Sequence, residues 1–230
     1  MKKNFNLGLF GLKYFDSIYE VDELNLGTTN FVLQQCDSIG GISNISKNPL
    51  ESVKYHNYFC GSKRAIILSE LNKSSRTSLT YGKKKFKNVS INYDNIDWLH
   101  IAYIDDIENI NAIDFQKINV SLDFCTETNR KAYEKYMRKA KIIFDSRERK
   151  KLYKNIKVKT PIVFHDENGC EVIINRKIVF EGHTSPIKNL NVNGAGDIFA
   201  SFFLKKMYNY SLEKATLETS NEVSNYLIKK

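Results

Sequence analysis

The stretch Asn191-Val192-Asn193-Gly194-Ala195-Gly196-Asp197 sets the expectation for the rest of this chain. Apolar residues follow it at helical spacing, so Gly194 to Gly196 are predicted to form the turn that opens a helix. The first N–H groups of a helix lack partners within it, and the helix dipole adds partial positive charge at that end. Glycine also lets a phosphate approach the backbone closely. The pattern therefore predicts an anion site with the carboxylate of Asp197 beside it.

A carboxylate in this place suits phosphoryl transfer. Asp197 could accept the proton of an attacking hydroxyl while the N–H groups of Gly194, Ala195 and Gly196 stabilise charge on the transferring group. The same residues also suit a purely structural turn, because small residues often precede helices and the dipole alone favours an acidic residue in the first turn. The remainder of the chain has to distinguish these alternatives.

The composition indicates a folded protein with a substantial core. The chain has 230 residues, 42% of them hydrophobic, and is most simply one domain. Lys and Arg outnumber Asp and Glu by 35 to 26, giving a formal net charge of +9, and basic runs lie at 83–87 and 147–151. Such runs can bind nucleic acid, but they suit a solvated loop or helix surface better, so nucleic-acid binding is the less favoured prediction.

The spacing of cysteine and histidine argues against several kinds of site. Cys36, Cys60, Cys125 and Cys170 are widely separated, which predicts neither a zinc site nor a disulfide framework. The four histidines also lack metal-ligand spacing. An apolar stretch at 7–12 is too short for a signal peptide or a membrane span. We therefore expect a cytoplasmic protein without membrane contact.

Short β-rich runs alternate with amphipathic stretches in the second half, which favours an α/β fold with a mainly parallel sheet. Strands are predicted at 98–104, 118–124, 142–144, 162–164, 171–174 and 177–180, and helices at 126–139, 147–155, 197–208 and 212–228. Asn168-Gly169 predicts a hairpin turn. Runs at 5–10, 31–35, 65–69 and 77–81 predict a smaller sheet lying over the main one.

In their order along the chain, three motifs resemble those of the ribokinase-like, or PfkB-type, family of carbohydrate and nucleoside kinases. The stretch 191–197 is similar to that family's Asp-Thr-x-Gly-Ala-Gly-Asp signature, which implies Asp197 as the catalytic base and Gly194, Ala195 and Gly196 as the anion hole. Gly40-Gly41-Ile42-Ser43-Asn44 is similar to the family's Gly-Gly-x-x-Asn segment. Together with Asp16, which follows the first strand, Gly40, Gly41 and Asn44 are thereby implied to bind substrate.

The resemblance also implies a fold and cofactors. It implies a single ribokinase-like domain over 1–230, a three-layer sandwich with a mainly parallel central sheet and a small β lid from roughly 19–37 and 64–87. ATP and Mg²⁺ are the implied cofactors, with Asn191 and Asn193 on the nucleotide side. Asp145-Ser146-Arg147-Glu148 resembles the family's Asn-x-x-Glu motif, which implies that Asp145 and Glu148 act on magnesium through water.

The implied substrate is a sugar, sugar derivative or nucleoside, and a homodimer through the lid is the expected assembly because sheet edges can pair. A second function stays open. The family's Thr-x-Gly-x-x-Gly turn corresponds to 164–169, where Phe164 and Asp166 bring bulk and negative charge, and Asn191 and Val192 replace Asp and Thr of the signature. The alternatives are an ATP-dependent kinase or a kinase-like protein that binds a sugar or nucleotide with little or no catalysis.

Overall fold

A computed structural model describes residues 4–73, 75–80, 82, 85–87, 89–187 and 193–229. The strands are β1 (Phe5–Val21), β2 (Gln34–Gly41), β3 (Val53–Glu70), β4 (Ser75–Thr80), β5 (Trp98–Ala102), β6 (Asn119–Asp123), β7 (Ile142–Ser146), β8 (Ile162–Asp166), β9 (Gly169–Ile174) and β10 (Lys177–His183). The α-helices are α1 (Ser43–Lys47), α2 (Glu134–Met137), α3 (Ala195–Asn209) and α4 (Leu212–Ile228). Shorter 3₁₀-helices cover Tyr93–Asn95, Ile104–Asp106, Ile110–Ala112, Arg130–Tyr133 and Arg147–Tyr153. In this described part of the chain, no helix is both long enough and apolar enough to cross a membrane.

The strands form one sheet in the order β10-β9-β8-β7-β6-β5-β1-β3-β4, with β2 paired to β1. Neighbours from β8 to β3 along this order run parallel. The pairs β8–β9, β9–β10, β3–β4 and β1–β2 run antiparallel. Every residue of β5 is buried, as expected of a parallel strand covered on both faces. The predicted α/β class with a mainly parallel sheet is confirmed.

Two long strands carry the sheet beyond its central part. Residues 7–10 of β1 pair with β5, whereas residues 13–20 pair with β2, past a register shift between Gly11 and Leu12. β3 runs alongside β1 and pairs with β4 over residues 65–70. We define the outer sheet as residues 13–21 of β1, β2, residues 62–70 of β3, and β4. The strand predicted at 31–35 begins three residues later in the structure, at Gln34.

Apolar side chains cover both faces of the central strands. On one face, Phe144 of β7 packs edge-on against Phe199 and Phe203 of α3, with ring centroids 6.4 and 5.5 Å apart, and α4 closes the layer. On the other face, Leu99 and Leu122 pack beneath α2 and the 3₁₀-helices. The three-layer sandwich is therefore confirmed, although its second helical layer is mostly 3₁₀-helix and loop.

The helix predicted at 126–139 is wrong in extent, because a buried arginine interrupts it. Arg130 is 1% exposed, and its guanidinium donates to the backbone oxygens of Thr126 and Thr128. These carbonyls accept a side chain in place of helical N–H groups, so only the 3₁₀ turn Arg130–Tyr133 and the short α2 form. Hydrophobic periodicity counts arginine as a surface residue and therefore gives no warning of this.

Candidate active site

The predicted anion turn lies at the N-terminus of α3. Gly194 adopts φ 77°, a left-handed conformation that favours glycine, and Ala195 begins the helix. Asp197 lies in the first turn and is 6% exposed. The first backbone N–H groups and the dipole of this 15-residue helix make its start suitable for an anion. The predictions for Asn191 and Val192 fall outside the described residues.

Asn44, the last residue of the motif at 40–44, forms a hydrogen bond with the predicted base, Asp197. Its Nδ2 donates to Asp197 Oδ2 at 2.9 Å, across 153 residues of sequence. α1 carries Asn44, and Ser43 Oγ holds the start of α1 by donating to the backbone oxygen of Gly40 at 2.6 Å. A Cβ on Gly194 would lie 2.9 Å from the side chain of Asn44. Glycine at 194 is therefore required by space as well as by φ.

Asp16 lies on the outer sheet against the same motif. Any Cβ on Gly40 of β2 would overlap the carboxylate of Asp16. Gly41 follows with φ 67°, at the point where β2 ends and the chain turns into α1. Burial raises the pKa of Asp16, and the charges of Arg76 and Lys47 oppose that rise. The residues predicted to bind substrate thus lie together, within electrostatic range of the predicted base.

The surroundings of Asp197 suit a general base. Burial raises the pKa of its carboxyl to about 6, the amide of Asn44 and the charge of Arg76 oppose this rise, and the charge of Asp16 adds to it. A carboxylate with this pKa is ionised near neutral pH and holds a proton more strongly than an ordinary aspartate does. Both properties favour proton abstraction from a hydroxyl.

Sequence reasoning missed Asp123, the last residue of β6. Burial together with the charges of Asp197 and Asp145 raises the pKa of Asp123 to about 7. Asp123 Oδ1 accepts hydrogen bonds from the backbone N and the Sγ of Cys125 at 3.1 and 3.2 Å. The signal that could have found Asp123 is its position, because open α/β sheets bind ligands outside the carboxyl ends of their parallel strands.

Arg76 of β4 was also missed. Its Nη1 donates to Oδ1 of Asn193, the residue that precedes Gly194, at 3.3 Å. Arg76 is an exposed residue on a strand whose residues are all exposed, so nothing in its local sequence marks it as part of a site. Only the pairing of β4 with β3 brings it to the start of α3.

Asp145 fits a magnesium ligand poorly. The carboxylate is completely buried and accepts hydrogen bonds from Arg130 Nη2 at 2.7 Å, Arg149 Nε at 2.6 Å and the hydroxyl of Tyr153 at 2.7 Å. A cation here would have to displace two guanidinium charges. Glu148 lies exposed on the following 3₁₀-helix, and no group of three Asp, Glu, His or Cys side chains in the described ranges could hold a metal. A water-mediated role for Glu148 stays a prediction.

The bulk and negative charge of the altered turn at 164–169 affect a bound phosphate less than the sequence suggests. Phe164 is 1% exposed and packs against Tyr153, with ring centroids 5.0 Å apart, so its bulk lies in the core. The carboxylate of Asp166 pairs with Arg147 at 3.0 Å. His165 stacks on Phe199 of α3, and burial lowers its pKa to about 4, so the ring is neutral at physiological pH.

The basic run 147–151 is largely engaged in ion pairs. Besides the contacts of Arg147 and Arg149 with Asp166 and Asp145, Lys150 pairs with Glu171 at 2.6 Å. Charges neutralised within the fold contribute little to binding a polyanion. Of the other run, 83–87, residues 83 and 84 lie outside the described ranges.

No protein-family model and no curated protein sequence matches this chain. Its fold, however, is similar to several solved structures. Ribokinase from Cryptococcus neoformans var. grubii serotype A, in complex with ADP, aligns with a TM-score of 0.65 at 11% identity over 97% of this chain and 100% of that one. Nucleoside kinase from Burkholderia thailandensis, in complex with inosine, aligns with a TM-score of 0.66 at 10% identity, over 96% of this chain and 90% of that one. Adenosine kinase from Sinorhizobium meliloti aligns with a TM-score of 0.66 at 14% identity, over 97% of this chain and 94% of that one. The chain has the ribokinase-like fold that the order of its motifs predicted.

Proposed function

We propose that this protein is an ATP-dependent kinase that phosphorylates a hydroxyl group of a sugar, sugar derivative or nucleoside. The observation that carries the proposal is the placement of Asp197, a buried carboxylate bound to Asn44 in the first turn after Gly194 to Gly196. Two of the solved structures with this fold, a ribokinase with ADP and a nucleoside kinase with inosine, support the nucleotide and the class of acceptor.

In the proposed reaction, one group of residues binds the acceptor and another binds the transferring phosphoryl. Asp16 and Asn44 orient the acceptor, so that its hydroxyl lies beside Asp197. Asp197 accepts the proton as the hydroxyl attacks the γ-phosphorus, and the N–H groups at the start of α3 bind oxygens of the transferring phosphoryl. Magnesium bound with ATP would offset phosphate charge, and no step assigned to these residues depends on where it binds.

Replacing the base tests this proposal. The wild type, Asp197→Asn and Asp37→Asn are assayed with magnesium ATP and a panel of pentoses, hexoses and nucleosides, and the phosphorylated product is identified by mass spectrometry. Asp37→Asn is the matched control, since Asp37 is exposed on the outer sheet and bonds only Ser17 among the contacts described. We expect Asp197→Asn to lower kcat by about 10² to 10⁴ and Asp37→Asn to leave it unchanged.

Two results would contradict the kinase proposal. Equal turnover by Asp197→Asn and the wild type would remove Asp197 from the chemistry. Failure of the wild type to phosphorylate any acceptor, while still binding one, would instead support the second candidate function.

The second candidate is a kinase-like protein that binds a sugar or nucleotide without efficient turnover. Asp145 favours it, because the position implied to act on magnesium is taken up by two guanidinium groups. Thermal unfolding with nucleotides and sugars detects a ligand for either candidate, and the turnover assay then separates the two. A ligand at a hundredfold its Kd stabilises a protein by about 2.7 kcal/mol, whether or not it reacts.

The proposal includes a homodimer that forms through the outer sheet. Phe15, Ile39 and Leu79 are 47%, 40% and 53% exposed, and the strand register places them on one face of the sheet, away from Asp16. Exposed apolar side chains grouped on one face of a sheet are typical of protein interfaces. A second copy of this chain would cover it without obstructing the site.

A further inference from the structure

Arg76 projects from the outer sheet on the same side as Asp16. Asp16 is the register partner of Ala65 on β3, and Arg76 is the register partner of Ser69, four residues further along that strand. Side chains two or four residues apart on a strand share a face. The guanidinium and the substrate-side carboxylate therefore both extend from the outer sheet toward α3.

Among the residues that the structure describes, the side-chain hydrogen bond of Arg76 leaves most of its donors for a ligand. Nη1 reaches Asn193 Oδ1 at 3.3 Å, beyond the usual range for an N–H···O bond, so the interaction is weak. A guanidinium carries five N–H donors in a planar fork that matches phosphate oxygens. Asn193 directly precedes Gly194, so Arg76 already lies over the entrance to the anion turn.

The carboxylates near this entrance are negatively charged, and a cation there would offset their charge. Asp16 and Asp197 both lie here; burial raises the pKa of both carboxyls, and the charge of Arg76 opposes that rise. In the proposed reaction, negative charge also accumulates on the three equatorial oxygens of the transferring phosphoryl. The N–H groups at the start of α3 can bind that phosphoryl from one side only, since they belong to a single turn.

We propose that Arg76 is a catalytic residue that leaves Asn193 and binds the transferring γ-phosphoryl on the side opposite the anion turn. This inference rests on the proposed kinase function. In the step, the acceptor oxygen bonds to the γ-phosphorus, the bond from the γ-phosphorus to the bridging oxygen breaks, and its electron pair leaves with ADP. The acceptor proton passes to Asp197, and Arg76 stays protonated throughout.

This role makes catalysis depend on the outer sheet. Because β4 is the edge strand, its only ladder partner among the described residues is β3, and the reach of Arg76 is set by the position of that sheet over α3. Closing the sheet over a bound acceptor would bring the guanidinium to the phosphoryl and exclude water at the same time.

The test compares Arg76→Gln and Arg76→Lys with Arg64→Gln. Arg64 is an exposed arginine on β3 of the same outer sheet, but register places it beside Phe15, on the face away from Asp16. We expect Arg76→Gln to lower kcat by about 10² to 10³ with the KM of the acceptor changed less than threefold. Arg76→Lys should recover part of the loss, because it keeps the charge and loses the fork. Arg64→Gln should match the wild type.

A binding measurement gives a readout apart from turnover. Isothermal titration with ATP and with ADP should show that Arg76→Gln weakens ATP at least tenfold more than ADP, because only ATP carries the γ-phosphoryl. An unchanged kcat, a loss confined to the KM of the acceptor, or an equal effect on ATP and ADP would each overturn the role of Arg76 while leaving the kinase proposal standing. A wild type that binds neither nucleotide would overturn both.

Discussion

Replacing Asp197 by asparagine should stabilise the protein while removing its activity. Folding raises the pKa of this carboxyl from 3.8 to about 6. Between these two values the folded state holds a proton that the unfolded state has released, so the carboxyl lowers stability as pH rises through this window. A shift of about two units corresponds to about 3 kcal/mol of destabilisation at pH 8 and about half of that at pH 5.

The asparagine variant does not titrate, and Asn44 can still donate to the oxygen of the new amide. That amide also brings an N–H₂ group into a buried place, which costs about 1 kcal/mol or more. This cost does not vary with pH. The informative measurement is therefore the difference in unfolding free energy between variant and wild type, compared at pH 5 and at pH 8. We expect Asp197→Asn to gain about 1 to 2 kcal/mol over the wild type between pH 5 and pH 8.

Urea unfolding followed by circular dichroism at both pH values measures this quantity. Asp145→Asn is the contrasting control, because it carries the same substitution at another buried carboxylate. It should destabilise the protein by about 3 to 5 kcal/mol, since it leaves buried Arg130 without its ion pair. If the variant and the wild type differ in stability by the same amount at pH 5 and pH 8, burial does not raise the pKa of Asp197 as argued.

The remaining predictions concern activity and assembly. The kcat should rise with pH and reach half its maximum near pH 6, because Asp197 must be ionised to accept a proton; a stopped or coupled assay from pH 5 to pH 8 measures this, and a flat profile would contradict it. Gly40→Ala should raise the KM of the acceptor at least tenfold, because the new methyl group displaces the carboxylate of Asp16, whereas the melting temperature should change little. Phe15→Asp should convert a dimer to a monomer in sedimentation experiments and leave kcat per chain within twofold; a wild type that sediments as a monomer would contradict the dimer.

Much of the fold and part of the site were predictable, because local sequence encodes them. β5, β6 and β8 are short apolar runs, and α3 follows a small-residue turn, so their existence follows from composition and period. Gly194 and Asp197 are three residues apart in sequence, and the left-handed conformation of Gly194 at the start of the helix is a local property. The resemblance of motifs then supplied Asp16, Gly40 and Asn44, which the fold brings to the same place.

The residues that sequence reasoning missed are those whose roles depend on distant contacts. Arg76 belongs to an exposed edge strand, and its relation to Asn193 exists only because β4 pairs with β3 over the start of α3. Arg130 reads as a surface position, yet it is buried against Asp145, fifteen residues away. Local periodicity describes how a residue relates to its own helix or strand, so it cannot place a side chain that crosses between elements.

The balance of charge around the anion turn suits the binding of a polyphosphate, which the kinase requires and the binding protein also allows. Asp123, Asp145 and Asp197 are buried near one another, and each raises the cost of bringing in phosphate. Arg130 and Arg149 neutralise Asp145, and the charge of Arg149 also opposes the rise in the pKa of Asp123. With Arg76 at the entrance, the carboxylates are matched by guanidinium groups, and a pKa of about 7 leaves Asp123 partly protonated at neutral pH. A polyphosphate would therefore meet a site of little net charge, in which Asp197 is the carboxylate that takes the proton in the proposed reaction.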